Sequence, residues 1–363
     1  MIYGGRMAFN ILVINPGAGS TRIALFRNEK SVFEENLRHD PEECLKFPKI
    51  IDQYQFRKKK IVELLASHKV DLDSLHAVVG RGGPFKPLTS GTYIVNDKLI
   101  QDIESGNYQS EHPSLLGAMI AKEIADKLKI KAYFVDPVSV DEFWELARFS
   151  GLKEIKRKAL SHALNVRMVA KKAAKELGKN YYECNFVIVH LGTGITVAAH
   201  LKGKQVDSSN ANEDGPFSPQ RAGALPTIPL AKLCFSGDRQ FEDIKKKLNR
   251  EGGMLSYLGT DDMEEVEKRI IAGDKEAEIA YNAMVYGIAK EVGAYSVVLK
   301  GDIDAIIITG GIAYSEKFVS LLKEWIGFLG PRFFVYPGEG EMEALALGVL
   351  RVLRNEETAK NYT

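Results

Sequence analysis

The chain has 363 residues, 45% of them hydrophobic and 27% charged, with a formal net charge of +1. That is enough apolar content for more than one core, and so even a charge balance excludes the strong positive field of a nucleic-acid binder. Three cysteines, Cys44, Cys184 and Cys234, are scattered with no CxxC or Cys/His cluster, which predicts free thiols in a reducing compartment rather than a metal site.

The opening MIYGGRMAFN has no long apolar region, so no signal peptide is expected, and Met7 is an alternative start to Met1. No apolar run is long enough for a membrane span. The expectation is a cytoplasmic protein with neither a membrane nor a nucleic acid as partner. Residues 11–26, ILVINPGAGSTRIALF, place two apolar runs around a knot of Asn, Pro, Gly and Ser. The runs read as strands and the knot as a turn. Residues 112–128 set Leu115, Leu116, Met119, Ile120, Ile124 and Leu128 at helical spacing, and residues 131–137, KAYFVDP, read as a buried strand.

The first motif then returns. In residues 186–200, FVIVHLGTGITVAAH, His190 falls under Asn15, Gly192 under Gly17, Gly194 under Gly19 and Thr196 under Thr21 without a gap. This predicts a duplicated strand–turn–strand unit, one per domain. Residues 282–299 place Met284, Ile288, Val292 and Tyr295 on one helical face, residues 304–311 read as a buried strand, and ALALGVLRVLR after Glu343 reads as a helix returning to the first domain. Strands mixed with helices, written twice, give a two-domain α/β protein.

A glycine-lined turn admits a phosphate because no Cβ intervenes and backbone N–H groups can reach it. Two such turns point to a phosphotransfer or ATPase cleft. Neither is a Walker A loop nor a dinucleotide fingerprint, and GRGGPF, which comes nearest, fails the spacing. Taken alone, Asp136 before Pro137 reads equally as a turn cap, His162 as a helix start, and His190 as a packed or a phosphate-facing residue.

The segments NPGAGSTR, GRGG, DGPFSPQRAG, LGTDD, ITGGIA and YPGEGEMEALAL occur in that order. In this the chain resembles the acetate and butyrate kinases over nearly its whole length, and looks most like the butyrate branch. The resemblance implies the duplicated two-domain α/β fold of the actin, sugar kinase and heat-shock ATPase superfamily, with an interdomain cleft. Residues 1–142 plus 344–363 would form an acyl-kinase domain and 143–343 a nucleotide-binding domain. It implies reversible phosphoryl transfer between ATP and a short-chain carboxylate such as butyrate or isobutyrate, giving acyl phosphate and ADP, with Mg²⁺ or Mn²⁺ and a homodimer or larger homo-oligomer. Acetate or propionate is the alternative acid. From another class, an actin- or chaperone-like ATPase would share both turns.

By the same resemblance, Asn15 and Glu341 bear on the metal. Arg81 and Arg221 meet the acyl carboxylate and the moving phosphoryl group, with Asp136 and His162 beside them. Gly17, Gly19, Ser20, Thr21 and Arg22 in one turn, and His190, Gly192, Thr193 and Gly194 in the other, hold phosphates. Gly310, Gly311, Ile312 and Asp262 lie on the adenosine side. Two departures stand out: Ala18-Gly19 replaces a hydroxyl-bearing pair, and Arg22 stands where the family has Lys. Arg81-Gly82-Gly83 is shorter than the acetate-kinase stretch, and a shortened wall predicts room for a larger acyl group. The residue kit suits the chemistry, because a carboxylate is already ionised at pH 7 and needs charge neutralisation and positioning rather than a base.

Overall fold

Each repeated hairpin founds a sheet. The computed structural model describes residues 2–3, 6–237, 239–330 and 332–363, so Met1, one of the two starts considered, lies outside them. The chain divides into two units, Met1–Asp141 with Gly340–Thr363, and Glu142–Glu339.

In the first unit the strand Asn10–Pro16 is central. On one side it pairs antiparallel with Ser20–Arg27, which pairs antiparallel with Lys30–Arg38. On the other it runs parallel to Ala77–Gly80, which runs parallel to Lys131–Val135. Thr92–Ile94 and Lys360–Asn361 complete this seven-stranded sheet. Ile11, Leu12, Val13 and Ile14 are all fully buried, which is why this strand reads as an unbroken apolar run rather than an alternating one. The helix Leu115–Leu128 packs its predicted face into this core. The tail helix Glu341–Leu353 belongs to this unit too.

The second unit repeats the plan. Asn185–Leu191 is central, Ile195–Leu201 and Lys204–Ser208 continue it antiparallel, and Ala305–Gly310 and Arg332–Pro337 continue it parallel. The two five-strand arrangements thus share order and sense, as the internal repeat predicts. The gapless register does not survive the turns, however. Pro16 pairs with Thr21 across four residues, whereas Leu191 pairs with Ile195 across three. Asn15 therefore faces Arg22, and His190 faces Thr196. The long helix Lys275–Val298 starts seven residues before the predicted 282–299. Asp274 caps it by accepting from the N–H groups of Glu276 and Ala277, a start signal that lies outside the apolar periodicity.

Two buried histidines make stability pH-dependent. Burial and the Arg57 charge hold His39 down at about 4, and burial and Arg167 hold His200 at about 3, against 6.5 when unfolded. Below 6.5 the unfolded chain gains protons that the folded chain refuses. The contribution is complete above 6.5 and is lost as the pH falls toward 4. We expect the urea midpoint to drop between pH 6.5 and 4.5. The slope should be shallower by about one proton in His39→Gln. Equal slopes in the variant and the parent would contradict this.

Candidate active site

In the first unit, the site is built at the ends of the parallel strands. Arg81 follows Ala77–Gly80, and its N–H donates to the carbonyl of Ile14 at 2.8 Å, tying it to the central strand. Glycines seat it. A Cβ on Gly80 would lie 2.0 Å from the Gly117 carbonyl oxygen, so strand and helix touch backbone to backbone. A Cβ on Gly82 would lie 2.6 Å from Pro137 Cβ, and one on Gly83 2.7 Å from Leu115 Cδ2. The Cβ positions beside both glycines are thus occupied by Pro137 and Leu115, which pack directly on the bare backbone.

Three expected residues come together here. Asn15 Nδ2 donates to Glu341 Oε2 at 2.8 Å, and Arg81 Nη1 lies 2.7 Å from Glu341 Oε1. Glu341 opens its helix, where the unsatisfied N–H groups favour a carboxylate. Arg22, on the Asn15 face, lines an open pocket of about 350 Å³ with Glu341, Glu343 and Glu34. Thr21 points the other way, since adjacent strand residues face opposite sides. It is fully buried, with its hydroxyl 2.8 Å from His39 Nε2 and 3.2 Å from Arg57 Nη1. The expectation that Thr21 touches phosphate is therefore corrected: it braces the turn from within. Ser20 takes part through its carbonyl, which accepts from Gly17 N–H and from Arg57. Asp136 has φ +36, a strained conformation for a residue with a side chain, and is locked to Gly91 by two bonds. Its N–H donates to the Gly91 carbonyl at 3.0 Å and its Oδ1 accepts from Gly91 N–H at 2.7 Å.

Neither Gly17 nor Gly19 is required by the fold. Neither has a positive φ, a Cβ on Gly17 would meet only the Ser20 carbonyl at 3.6 Å, and one on Gly19 would meet nothing within 4 Å. Bare backbone at these positions suits a ligand that approaches closely.

In the second unit the turn Gly192, Thr193 and Gly194 gathers a separate cluster of expected residues. His162 stacks on His190 with ring centroids 4.0 Å apart. His162 Nδ1 lies 2.8 Å from Thr196 Oγ1 and His190 Nδ1 2.8 Å from Asn165 Oδ1, which fixes both rings. A Cβ on Gly192 would sit 3.2 Å from His190 Nε2, and one on Gly194 would sit 2.3 Å from Arg221 Nη1. An imidazole nitrogen and a guanidinium therefore converge on one glycine turn. Ser218 holds the Arg221 loop in place: its hydroxyl donates to the Thr193 carbonyl at 2.5 Å and accepts from Arg221 N–H at 3.2 Å. Burial lowers the Arg221 pKa, but an arginine remains charged.

The adenosine-side residues divide. Gly310, φ +93, needs to be glycine because a Cβ would lie 2.3 Å from the Leu191 carbonyl oxygen. Gly311 is exposed, while Ile312 is partly buried against the core. Asp262 is a helix cap, its Oδ1 accepting from the N–H groups of Glu264 and Glu265. Sequence reasoning missed Asn165, Ser218 and Arg57. Asn165 sits one helical turn past His162, a spacing that could have shown it.

The donor chemistry fits a hard divalent cation. With Nδ2 turned to Glu341, Asn15 presents a carbonyl oxygen beside a carboxylate, and Mg²⁺ is usually held by one or two protein oxygens plus phosphates and water. Among the described residues no group of three or more His, Cys, Asp or Glu could hold a metal alone. No helix among them is long and apolar enough to cross a membrane.

Residues 152–331 match the model of the acetokinase family. The acetate kinase of Porphyromonas gingivalis superposes with a TM-score of 0.77 at 19% identity, over 95% of this chain and 100% of that one. A propionate kinase from Francisella tularensis gives 0.73 at 17% identity, over 94% and 98%. A putative N-acetylmannosamine kinase from Listeria monocytogenes gives 0.51 at 14%, over 96% and 100%. The fold is thus the mixed α/β, two-sheet fold of the acetate kinases and, more distantly, the sugar kinases.

Proposed function

We propose that this chain is a short-chain carboxylate kinase, transferring the γ-phosphoryl group of ATP reversibly to a carboxylate. The observation that carries the reading is the pair of arginines, Arg81 and Arg221, one per unit, each seated on glycines whose Cβ atoms the packing would exclude. The acetokinase match of residues 152–331 supports it. Two anions must meet in this reaction, and fixed guanidinium groups neutralise charge that converges on the transferring group.

A carboxylate oxygen attacks the γ-phosphorus while the bond from phosphorus to the β,γ-bridging oxygen breaks. ADP leaves with that electron pair, and no proton moves. Arg81 holds the carboxylate. Arg221, with His162 and His190, meets the oxygens of the moving phosphoryl group. The two glycine turns hold the phosphates through backbone N–H groups. Asn15 and Glu341 would hold Mg²⁺ or Mn²⁺, which supplies further charge neutralisation on the nucleotide.

Within this class the finer reading is butyrate or isobutyrate, supported by the motif resemblance. Acetate and propionate are its competitors. Each buried CH₂ contributes about 0.8 kcal/mol, and one methylene discriminates roughly 10- to 200-fold. We expect ATP-dependent hydroxamate formation in a hydroxylamine trap. Across acids of two to six carbons, kcat/KM should rise at least about tenfold from acetate to the four-carbon acids and then fall. A maximum at acetate would overturn the butyrate reading and keep the kinase. ATP hydrolysis without hydroxamate from any acid would overturn the kinase.

A further inference from the structure

The basic run Arg57-Lys58-Lys59-Lys60 reads as a solvated face, yet Arg57 is 0% exposed. Its guanidinium lies beneath the first glycine turn. Nη1 donates to the carbonyls of Gly17 at 2.8 Å and Ser20 at 3.1 Å, and Nη2 to that of Ala18 at 3.1 Å. Nη1 also reaches Thr21 Oγ1, and Nε donates to Gln53 Oε1 at 2.9 Å. The remaining turn carbonyl, Gly19, accepts from His39 N–H at 2.9 Å. All four carbonyls from 17 to 20 are thus held from inside. Ala18 and Gly19 are exposed, and their N–H groups donate to nothing among the described residues.

A peptide whose carbonyl is held inward turns its N–H outward. Adjacent outward N–H groups form an anion-binding concavity, and a buried cation behind them deepens the positive potential. We propose that Arg57 is a positioning residue for the nucleotide: it sets the turn so that the Ala18 and Gly19 N–H groups face a phosphate, and it adds its charge from behind. This rests on the kinase reading above. It also explains how the turn manages with Ala18-Gly19 in place of a hydroxyl-bearing pair, since the anion is met by backbone rather than by hydroxyl groups.

The test is MgADP binding by calorimetry in the full chain, with steady-state kinetics. Arg57→Lys and Arg57→Gln should weaken MgADP binding at least about tenfold and raise KM for ATP in parallel. KM for the carboxylate should stay within about twofold, a split that general loosening of the fold would not produce. Gln53→Ala keeps the charge but frees Nε, and should weaken MgADP binding by a smaller, several-fold factor. Should the Arg57 variants fail to fold, Gln53→Ala decides alone. Folded variants with unchanged MgADP affinity, or with both KM values raised equally, would overturn the role of Arg57 while leaving the kinase intact. A parent chain that binds no MgADP would overturn both.

Discussion

Alanine at Arg81 or at Arg221 should lower turnover on the order of 100- to 1,000-fold, the usual loss when one electrostatic contact to a charged transition state is removed. The two variants should differ in what else they do. Arg81→Ala removes the guanidinium that lies 2.7 Å from Glu341 Oε1, in a pair whose side chains are 9% and 18% exposed. Breaking a largely buried ion pair by removing one partner destabilises the fold, so this variant should also melt earlier. Arg221 packs on Gly194, and among the described residues it forms no ion pair with a carboxylate, so Arg221→Ala should lose rate with little change in melting temperature. Arg221→Lys should not restore the rate, because a point charge on a flexible stem does not reproduce a planar fork lying on a glycine. Thermal melts beside kcat and kcat/KM check both. Activity within a few-fold of the parent in either alanine variant would remove that arginine from the reaction.

Removal of divalent metal should be as severe. Excess EDTA should abolish transfer, and Mg²⁺ or Mn²⁺ should restore it, because the oxygen donors at Asn15 and Glu341 suit hard ions. Glu341→Gln keeps one acceptor oxygen, for Asn15 or for Arg81 but not both, and removes the charge. It should raise the metal concentration needed for half-maximal rate by roughly 10- to 100-fold, the range found when a group supporting a metal is altered. Full activity in EDTA would contradict the metal role of this pair.

The duplicated hairpins were legible because buried central strands leave unbroken apolar runs and turns leave glycine. The pairing register was not, since the first turn is one residue longer than the second and a gapless alignment carries no sign of it. That single residue decides that Arg22, and not Thr21, shares the face of Asn15. Arg81 with Gly82 and Gly83 was visible as a motif, but whether the glycines leave space or admit Pro137 and Leu115 depends on chain segments distant in sequence. Arg57 was hidden by its neighbours: a run of four cations carries no mark of which one turns inward. Asp262 shows the opposite case, where a residue singled out by resemblance caps a helix.

The central claim is that phosphoryl groups pass between nucleotide and carboxylate, and the reverse direction tests it most directly. Supplied with MgADP and butyryl phosphate, or acetyl phosphate as comparison, the chain should produce ATP in one-to-one proportion to acyl phosphate consumed. Omitting either substrate should abolish ATP formation, and Arg221→Ala should slow it on the order of 100-fold or more. ATP hydrolysis at an undiminished rate without any acid, together with no ATP formed from any short-chain acyl phosphate, would contradict it.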